Sequence, residues 1–196
     1  MDIKKAANLF INFTLKRLAE IFGIVVFGSG ILFLSALLTY SPEDPNFIFP
    51  DNTEIKNILG FQGSLISDLF FQSIGLISYM FSITLIMTGI NIFRVKEFFL
   101  LIENIFFAIV YSLFGCLFLS HFYSNGFTLY INGNGGFIGS YLDQTFFNSL
   151  ISLNEIFFYY LLIIINLVLF LISLNFRPLK FYQTIKSIFQ FFYKKN

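Results

Sequence analysis

The sequence is poor in the residues on which metal centres and thiol or histidine catalysis depend. It has one histidine, one cysteine and no tryptophan, and 12% of its residues are charged. The single cysteine, Cys116, excludes an internal disulfide, and no Cys/His cluster has metal-ligand spacing. Because 57% of the residues are hydrophobic, a soluble globular domain is excluded as well. We therefore expect an integral membrane protein that binds no metal and no other cofactor.

The sequence also lacks the phosphate cradle of a nucleotide-driven motor. Such a cradle is a glycine-rich loop that ends in Lys-Ser or Lys-Thr at a helix amino terminus. Gly23 and Gly28 have the required separation, but Ser-Gly follows them inside an apolar run. We therefore predict that this chain does not hydrolyse ATP and is not an enzyme by itself. An intramembrane enzyme is disfavoured too, since Cys116 and His121 are five residues apart and fall on different helical faces.

Four apolar runs are long enough to cross a bilayer. The first, residues 21–39, would be about 28 Å long at about 1.5 Å per helical residue, which matches the hydrocarbon core. The others are predicted near residues 74–92, 98–118 and 156–174. We predict an all-α membrane protein with four transmembrane helices, whose membrane domain covers residues 21–178.

Two flanking segments are basic and partly apolar. Residues 1–20 mix apolar positions with four Lys and Arg residues. This pattern is typical either of a helix on an anionic leaflet or of a flank that only sets orientation. Residues 179–196 place their large apolar side chains on one helical face, which predicts an amphipathic juxtamembrane tail.

The distribution of positive charge predicts the orientation. The two termini and the turn near residue 95 hold eleven of the twelve Lys and Arg residues, and the two long loops hold only Lys56. Since cytoplasmic segments carry the excess of Lys and Arg, both termini are predicted to be cytoplasmic and both long loops periplasmic.

The first long loop carries the most distinctive motif, Tyr-Ser-Pro-Glu-Asp-Pro-Asn-Phe at residues 40–47. Its prolines cannot continue a helix, and its two carboxylates predict a turn that faces water. The chain then re-enters an apolar environment, with Ser64 predicted to cap the new helix. This motif, with the glycines and second apolar helix after it, resembles the amino-terminal four-helix membrane domain of the FtsK/SpoIIIE family of bacterial DNA translocases. The resemblance extends from about residue 20 to about residue 178.

The resemblance implies an anchoring function. In this family such a domain tethers a cytoplasmic, hexameric, ATP-driven DNA pump to the division septum of the inner membrane and helps to assemble the divisome. DNA would be contacted only by the motor, which this chain lacks, so the chain would be a fragment or the product of a split gene. A small transporter or channel subunit is the alternative. The positions that match the family are Tyr40, Ser41, Pro42, Asp44, Pro45, Gly60, Gly63 and Asp68 in the first loop and re-entry, and Gly136 and Gly139 in the second loop, and none is expected to be catalytic.

An internal repeat divides the chain into two similar halves. Residues 60–64 and 136–140 share Gly-Phe-x-Gly-Ser, and each copy is followed by Phe-Phe and by an acid, Asp68 or Asp143. A duplication would give two hairpins of the same topology. A chance likeness between two short segments is the other interpretation.

Few strongly polar residues lie in or near the predicted spans. We interpret the side chains of Asp68, Glu103 and His121 as solvated groups near the ends of helices. Asn166 is expected to form a hydrogen bond between helices. A wet groove lined by Glu103 and Asn166 would instead indicate a transporter. Little buried polarity is therefore expected.

The third span carries a face of small residues that predicts close helix packing. We expect this span at the centre of the protomer or at a subunit interface of a homo-oligomer, because small side chains let backbones approach. The face consists of Ala108, Ser112, Cys116 and Ser120, spaced four residues apart.

Overall fold

The computed structural model of the chain describes residues 3–45, 54–124 and 132–176. Within these ranges every regular element is a helix, which confirms the predicted all-α class, and four helices are long and apolar enough to cross a membrane. The tail predicted at residues 179–196 lies outside the described residues. The helices are α1 (Ile3–Leu38), α2 (Gly60–Ile74), α3 (Ile77–Val95), α4 (Phe99–Phe122), α5 (Gly136–Asp143), α6 (Phe146–Ser152) and α7 (Glu155–Ser173), of which α1, α3, α4 and α7 are the candidate spans.

The first helix is continuous through the predicted boundary at residue 20. It runs for 36 residues, or about 54 Å, which exceeds the thickness of a hydrocarbon core of about 30 Å. No proline interrupts it, and its three glycines all lie in its second half. It ends just before Pro42, which lacks the amide hydrogen that a further turn would need.

The second predicted span has a separate helix in front of it. Helix α2 ends at Ile74, and the φ of 57° at Gly75 breaks the chain before α3 begins. Helix α2 begins at Gly60 rather than at Ser64, so the predicted cap is wrong. Gly60 has a φ of 66° and turns the chain one helical turn earlier. The hydroxyl of Ser64 is buried and donates to the carbonyl oxygen of Pro45 over 3.0 Å.

The second long loop contains two short helices, α5 and α6. Helix α5 begins at Gly136 just as α2 begins at Gly60, because the same Gly-Phe-x-Gly-Ser segment opens both. The last span follows after Asn154, whose side-chain oxygen accepts a hydrogen bond from the amide of Phe157 over 3.1 Å. This side chain caps α7 in the ordinary way.

The spans pack as two hairpins. Helix α1 packs along α3, α4 packs along α7, and the contact of α3 with α4 joins the two pairs. Helices α2 and α5 touch each other beside the long loops. We call this side of the bundle the loop end, and the opposite side, with the short turn between α3 and α4, the turn end. At the turn end Lys96 lies 2.6 Å from Glu20 and ties that turn to α1.

Helices α1 and α3 approach each other closely. A Cβ atom at Gly23 would lie 2.7 Å from the amide nitrogen of Phe93, and one at Gly89 would lie 2.3 Å from that of Phe27. The backbones of the two helices therefore meet directly. The small-residue face predicted on the third span did not identify this contact.

The expectation of little buried polarity is wrong. At the junction of α3, α4 and α7, Thr84 bonds the hydroxyls of Tyr111 and Ser173 over 3.0 and 3.1 Å. Nearer the turn end, the side-chain nitrogen of Asn104 donates to the Thr88 hydroxyl over 2.8 Å. The side-chain oxygen of Asn104 accepts from the side-chain nitrogen of Asn175 over 2.7 Å. These groups can be buried because each has a polar partner on another helix or just beyond one.

Candidate functional site: the loop end of the bundle

The family-like motif forms a tight turn at the end of α1. The amide of Asp44 donates to the carbonyl oxygen of Ser41 over 3.2 Å, and Pro42 occupies the second position of this turn, where proline is favoured. The Ser41 hydroxyl also accepts from the amide of Glu43 over 3.4 Å. Pro45 follows the turn, is buried, and supplies the carbonyl oxygen that Ser64 contacts.

Asp44 is the buried centre of this loop and does not face water as predicted. It is 1% exposed, and its two carboxylate oxygens accept hydrogen bonds from the amides of Lys56 and Asn57, each over 2.9 Å. Such charge-assisted bonds compensate for the desolvation of the carboxylate. Asp44 therefore fastens the segment that leaves α1 to the segment that enters α2.

Asn57 joins the loop to the last turn of α1. Its side-chain amide donates to the carbonyl oxygen of Ala36 over 2.8 Å, and its side-chain oxygen accepts from the amide of Leu59 over 3.1 Å. The first bond satisfies a carbonyl that the end of a helix leaves free. Gly63 makes room for Asn57, because a Cβ atom there would lie 2.1 Å from the Asn57 side-chain oxygen.

An exposed ion pair covers this loop from outside. The ammonium of Lys56 contacts the carboxylate of Glu43. This contact lowers the pKa of Glu43 and raises the pKa of Lys56. Both side chains are mostly exposed, so the pair contributes little to stability.

Tyr40 and Asp68 connect α1 with α2. The Tyr40 hydroxyl donates to Asp68 Oδ1 over 2.9 Å, and its ring centre lies 4.8 Å from that of Phe71. Asp68 was interpreted as a solvated end, but it is 8% exposed and has this partner. Phe71 is fully buried beside Phe33 and Leu37 of α1. The contact thus extends the apolar core to the loop end.

The second hairpin has a corresponding pair. His121 at the end of α4 lies with its Nδ1 2.6 Å from Oδ1 of Asp143, the last residue of α5. His121 was interpreted as solvated, whereas it is half-buried and partnered. In each hairpin the acid of the repeat therefore joins the short helix to the end of the preceding span.

Helix α5 rests on the small-residue face of α4. Cβ atoms at Gly135 and Gly139 would each lie 2.3 Å from the carbonyl oxygen of Cys116. The Cys116 thiol is buried and donates to the carbonyl oxygen of Ile74 at the end of α2 over 3.3 Å. Ala108 and Ser112 are also buried. This face of α4 thus meets the loop-end helices in addition to its neighbouring spans.

Glu103 and Asn166 do not come together. Asn166 is half-buried and donates to the carbonyl oxygen of Tyr111 over 2.7 Å, which joins α7 to α4. Glu103 is exposed on α4 near the turn end. The wet groove that would favour a transporter is therefore not formed by these two side chains.

A polar cavity of about 230 Å³ lies at the loop end beside α5. Asn134 is 2% exposed, and its side-chain oxygen has no hydrogen-bond partner among the described residues. A phosphate group would find no cation among the lining residues, which are Ser120, Ser124, Asn132, Gly133, Asn134, Ser140, Asp143 and Gln144.

Four apolar helices with a polar, hydrogen-bonded loop end define a multi-pass α-helical membrane domain. The sequence model described as the 4TM region of DNA translocase FtsK/SpoIIIE matches residues 15–186. The chain belongs to this family, and the resemblance drawn from the loop motif is confirmed.

One relative and the solved structures complete the comparison. The DNA translocase FtsK of Rhizobium meliloti (strain 1021) is 31% identical over 78 residues, which cover 40% of this chain and 9% of the relative. The matched part is thus less than a tenth of that protein. No solved structure matches the chain. The chain is an FtsK-like membrane domain and a multi-pass protein of the inner membrane.

Proposed function

We propose that the chain anchors an FtsK-like DNA translocase at the division septum and takes part in divisome assembly. The proposal rests chiefly on the family match, which covers all four spans. The motor that moves DNA would lie outside this chain, and the chain would contact DNA only through that motor. We further propose that the anchored translocase couples chromosome segregation to cell division. The matched part of the relative is less than a tenth of that protein.

The loop end supports an anchoring function over transport. Its family-like residues hold the first loop in place: Tyr40 donates to Asp68, and Asp44 accepts from the backbone amides ahead of α2. These bonds shape a fixed surface. We propose that this surface faces the periplasm and contacts divisome proteins.

Orientation can be tested with single cysteines in a Cys116→Ser background. Lys56→Cys at the loop end and Glu97→Cys at the turn end are both exposed positions. A membrane-impermeant maleimide should label the first in spheroplasts, and should label the second only after lysis. The reverse pattern would contradict the proposed orientation.

Septal function is tested by a fluorescent fusion at the carboxyl end, imaged in dividing cells, together with depletion. A midcell band and filamentation on depletion are the expected results. A uniform membrane signal with normal division would overturn the proposal.

The family resemblance also leads us to propose a homo-oligomer, with six copies to match a hexameric motor. Mass measurement of the domain in native nanodiscs is the direct test. A monomer at all concentrations would contradict this part alone.

A further inference from the structure

The exposed side of helix α5 is made of two aromatic side chains. Phe137 and Tyr141 are each 62% exposed, and their rings stack with centres 6.2 Å apart. They are four residues apart and therefore lie on the same side of the helix. We call these two residues the aromatic face. The other side chains of α5 contact the bundle: Ile138 and Leu142 pack on apolar clusters, Ser140 donates to the carbonyl oxygen of Asn132, and Asp143 contacts His121.

The aromatic face points away from α4. Cβ atoms at Gly135 and Gly139 would lie 2.3 Å from the carbonyl oxygen of Cys116, so this side of α5 rests on α4. At about 100° per residue, Phe137 lies about 160° around the helix from both glycines. Because α5 packs on the flank of α4, before that helix ends at residue 122, the aromatic face is directed sideways out of the bundle.

Helix α5 meets α4 at the edge of the hydrocarbon core. The charged turn with Lys96 and Glu97 marks the water boundary at the turn end, just before α4 begins at Phe99. A hydrocarbon core of about 30 Å takes up about 20 helical residues, which reach from there to about residue 118. Cys116 lies within this length and Ser120 just beyond it, and both contact the glycines of α5. Helix α5 therefore crosses α4 at the boundary between acyl chains and headgroups.

Two tyrosines mark the same level independently. The hydroxyl groups of Tyr123, just after α4, and Tyr159, in the second turn of α7, bond each other over 2.9 Å. The ring centre of Tyr159 lies 5.3 Å from that of Phe118 and 5.1 Å from that of Phe122. Tyrosine rings are enriched at the headgroup level of membrane proteins, so the last turn of α4 lies at that level.

The charge of the second loop fits lipid rather than water. Residues 122–154 contain one charged side chain, Asp143, which His121 contacts over 2.6 Å. Residues 41–56 of the first loop contain five. Charged side chains are mostly exposed to water, so the first loop has the composition of a solvated segment and the second does not. The second loop also offers no Lys or Arg to an anionic headgroup, which leaves an apolar contact.

Two rings are too few for a protein interface of their own. Stable interfaces bury about 800 Å² on each partner, from about 20–30 residues. Helix α5 has eight residues and exposes two of them. Lipid requires no such minimum, because the bilayer surrounds the bundle at this depth in any case.

We propose that the aromatic face of α5 lies in the lipid leaflet at the loop end, with Phe137 against acyl chains and the Tyr141 hydroxyl at the headgroups. Helix α5 is then an interfacial helix, although its segment was predicted as part of a periplasmic loop. The contact follows from depth and charge, and it holds for either orientation of the bundle. The first loop remains the water-facing part of the loop end.

The test uses single cysteines in a Cys116→Ser background, where a serine hydroxyl can keep the bond to Ile74. Phe137→Cys probes the aromatic face. Ile109→Cys, at a position 54% exposed midway along α4, gives the mid-membrane reference, and Lys56→Cys gives the aqueous reference. The full chain is labelled with bimane and reconstituted into vesicles whose lipids carry bromine either close to the headgroup or close to the chain end.

Bromine close to the headgroup should quench the label at position 137 at least about twofold more than bromine close to the chain end, and position 109 should show the reverse order. Aqueous iodide should quench position 56 more than position 137. Equal quenching of positions 56 and 137 by iodide would place α5 in water and overturn the proposal. Protection of position 137 from all quenchers, with disulfide formation between copies, would identify a second copy as the partner and also overturn it.

A charge on the aromatic face tests the same contact in the chain that keeps Cys116. If the face lies in lipid, Phe137→Asp should draw α5 away from α4 and raise the rate of Cys116 alkylation in vesicles at least about fivefold, because a carboxylate is disfavoured there. Asn148→Asp adds the same charge at an exposed position of α6 and should leave the rate unchanged. An aspartate in water is harmless, so a wild-type rate for Phe137→Asp would overturn the proposal.

Discussion

Gly60 and Gly136 begin equivalent helices in the two hairpins with nearly the same backbone geometry, φ of 66° and 64°. Their surroundings differ. A Cβ atom at Gly60 would have no atom within 4 Å, whereas one at Gly136 would lie 2.6 Å from the carbonyl of Ser73. The repeat in the sequence therefore corresponds to a repeat in conformation, on which only the second hairpin imposes a tight contact.

We predict that Gly136→Ala is much more destabilising than Gly60→Ala. The left-handed backbone costs an alanine about 1 kcal/mol at either position, and the clash with Ser73 adds about 2 kcal/mol at Gly136. The midpoint temperature for alkylation of buried Cys116 by a fluorogenic maleimide measures the difference. Circular dichroism is the control for local effects on the thiol, and equal shifts in both variants would contradict the prediction.

The loop at Asp44 allows a second matched comparison. Asp44→Ala leaves the amides of Lys56 and Asn57 without their acceptor in a buried loop, and we expect a loss of about 2–3 kcal/mol. Lys56→Ala removes only an exposed ion pair and should leave the unfolding midpoint unchanged. A larger effect at Lys56 than at Asp44 would show that the ion pair, and not the buried carboxylate, holds the loop.

The four spans could be predicted because each is a long apolar run, a property of consecutive residues. The state of Asp44 could not, since a carboxylate beside two prolines resembles any solvated turn. Its burial depends on amides twelve and thirteen residues later in the chain. Asn57 was missed for the same reason, because its partner Ala36 is 21 residues away.

The buried network at the turn end was missed for a different reason. Glu103 was singled out for its charge, yet it is exposed, and the neighbouring Asn104 is buried. A signal was present, since Asn104 lies four residues before Ala108 and extends the small-residue face of α4 by one turn. Its partners Thr88 and Asn175 come from other parts of the chain, which no local pattern indicates.

These neighbours give the third prediction. Asn104→Ala leaves Thr88 and Asn175 without their shared partner, and we expect a loss of about 2 kcal/mol. Glu103→Ala should have no measurable effect on the unfolding midpoint in detergent. If both variants unfold at the wild-type temperature, the network does not contribute to stability.

The last prediction concerns two glycines of the first span. Gly23 faces the backbone of α3, where a Cβ atom would lie 2.7 Å from the amide nitrogen of Phe93, and Gly28 has no atom within 4 Å of such a position. Gly23→Ala must push α1 and α3 apart and should cost about 2 kcal/mol. Gly28→Ala should raise stability by about 0.5–1 kcal/mol, because alanine loses less backbone freedom in a helix.

The same two variants separate a packing effect from a general intolerance of α1 to substitution. Thermal alkylation of Cys116 reports on the second hairpin, so a cysteine at the buried position Ala36 of α1, in a Cys116→Ser background, is added to report on the first. Loss of order in the first hairpin alone is expected for Gly23→Ala, since α1 packs mainly on α3. Equal destabilisation by Gly23→Ala and Gly28→Ala would mean that α1 meets another partner on its Gly28 face, and the close approach to α3 would no longer account for the glycine at position 23.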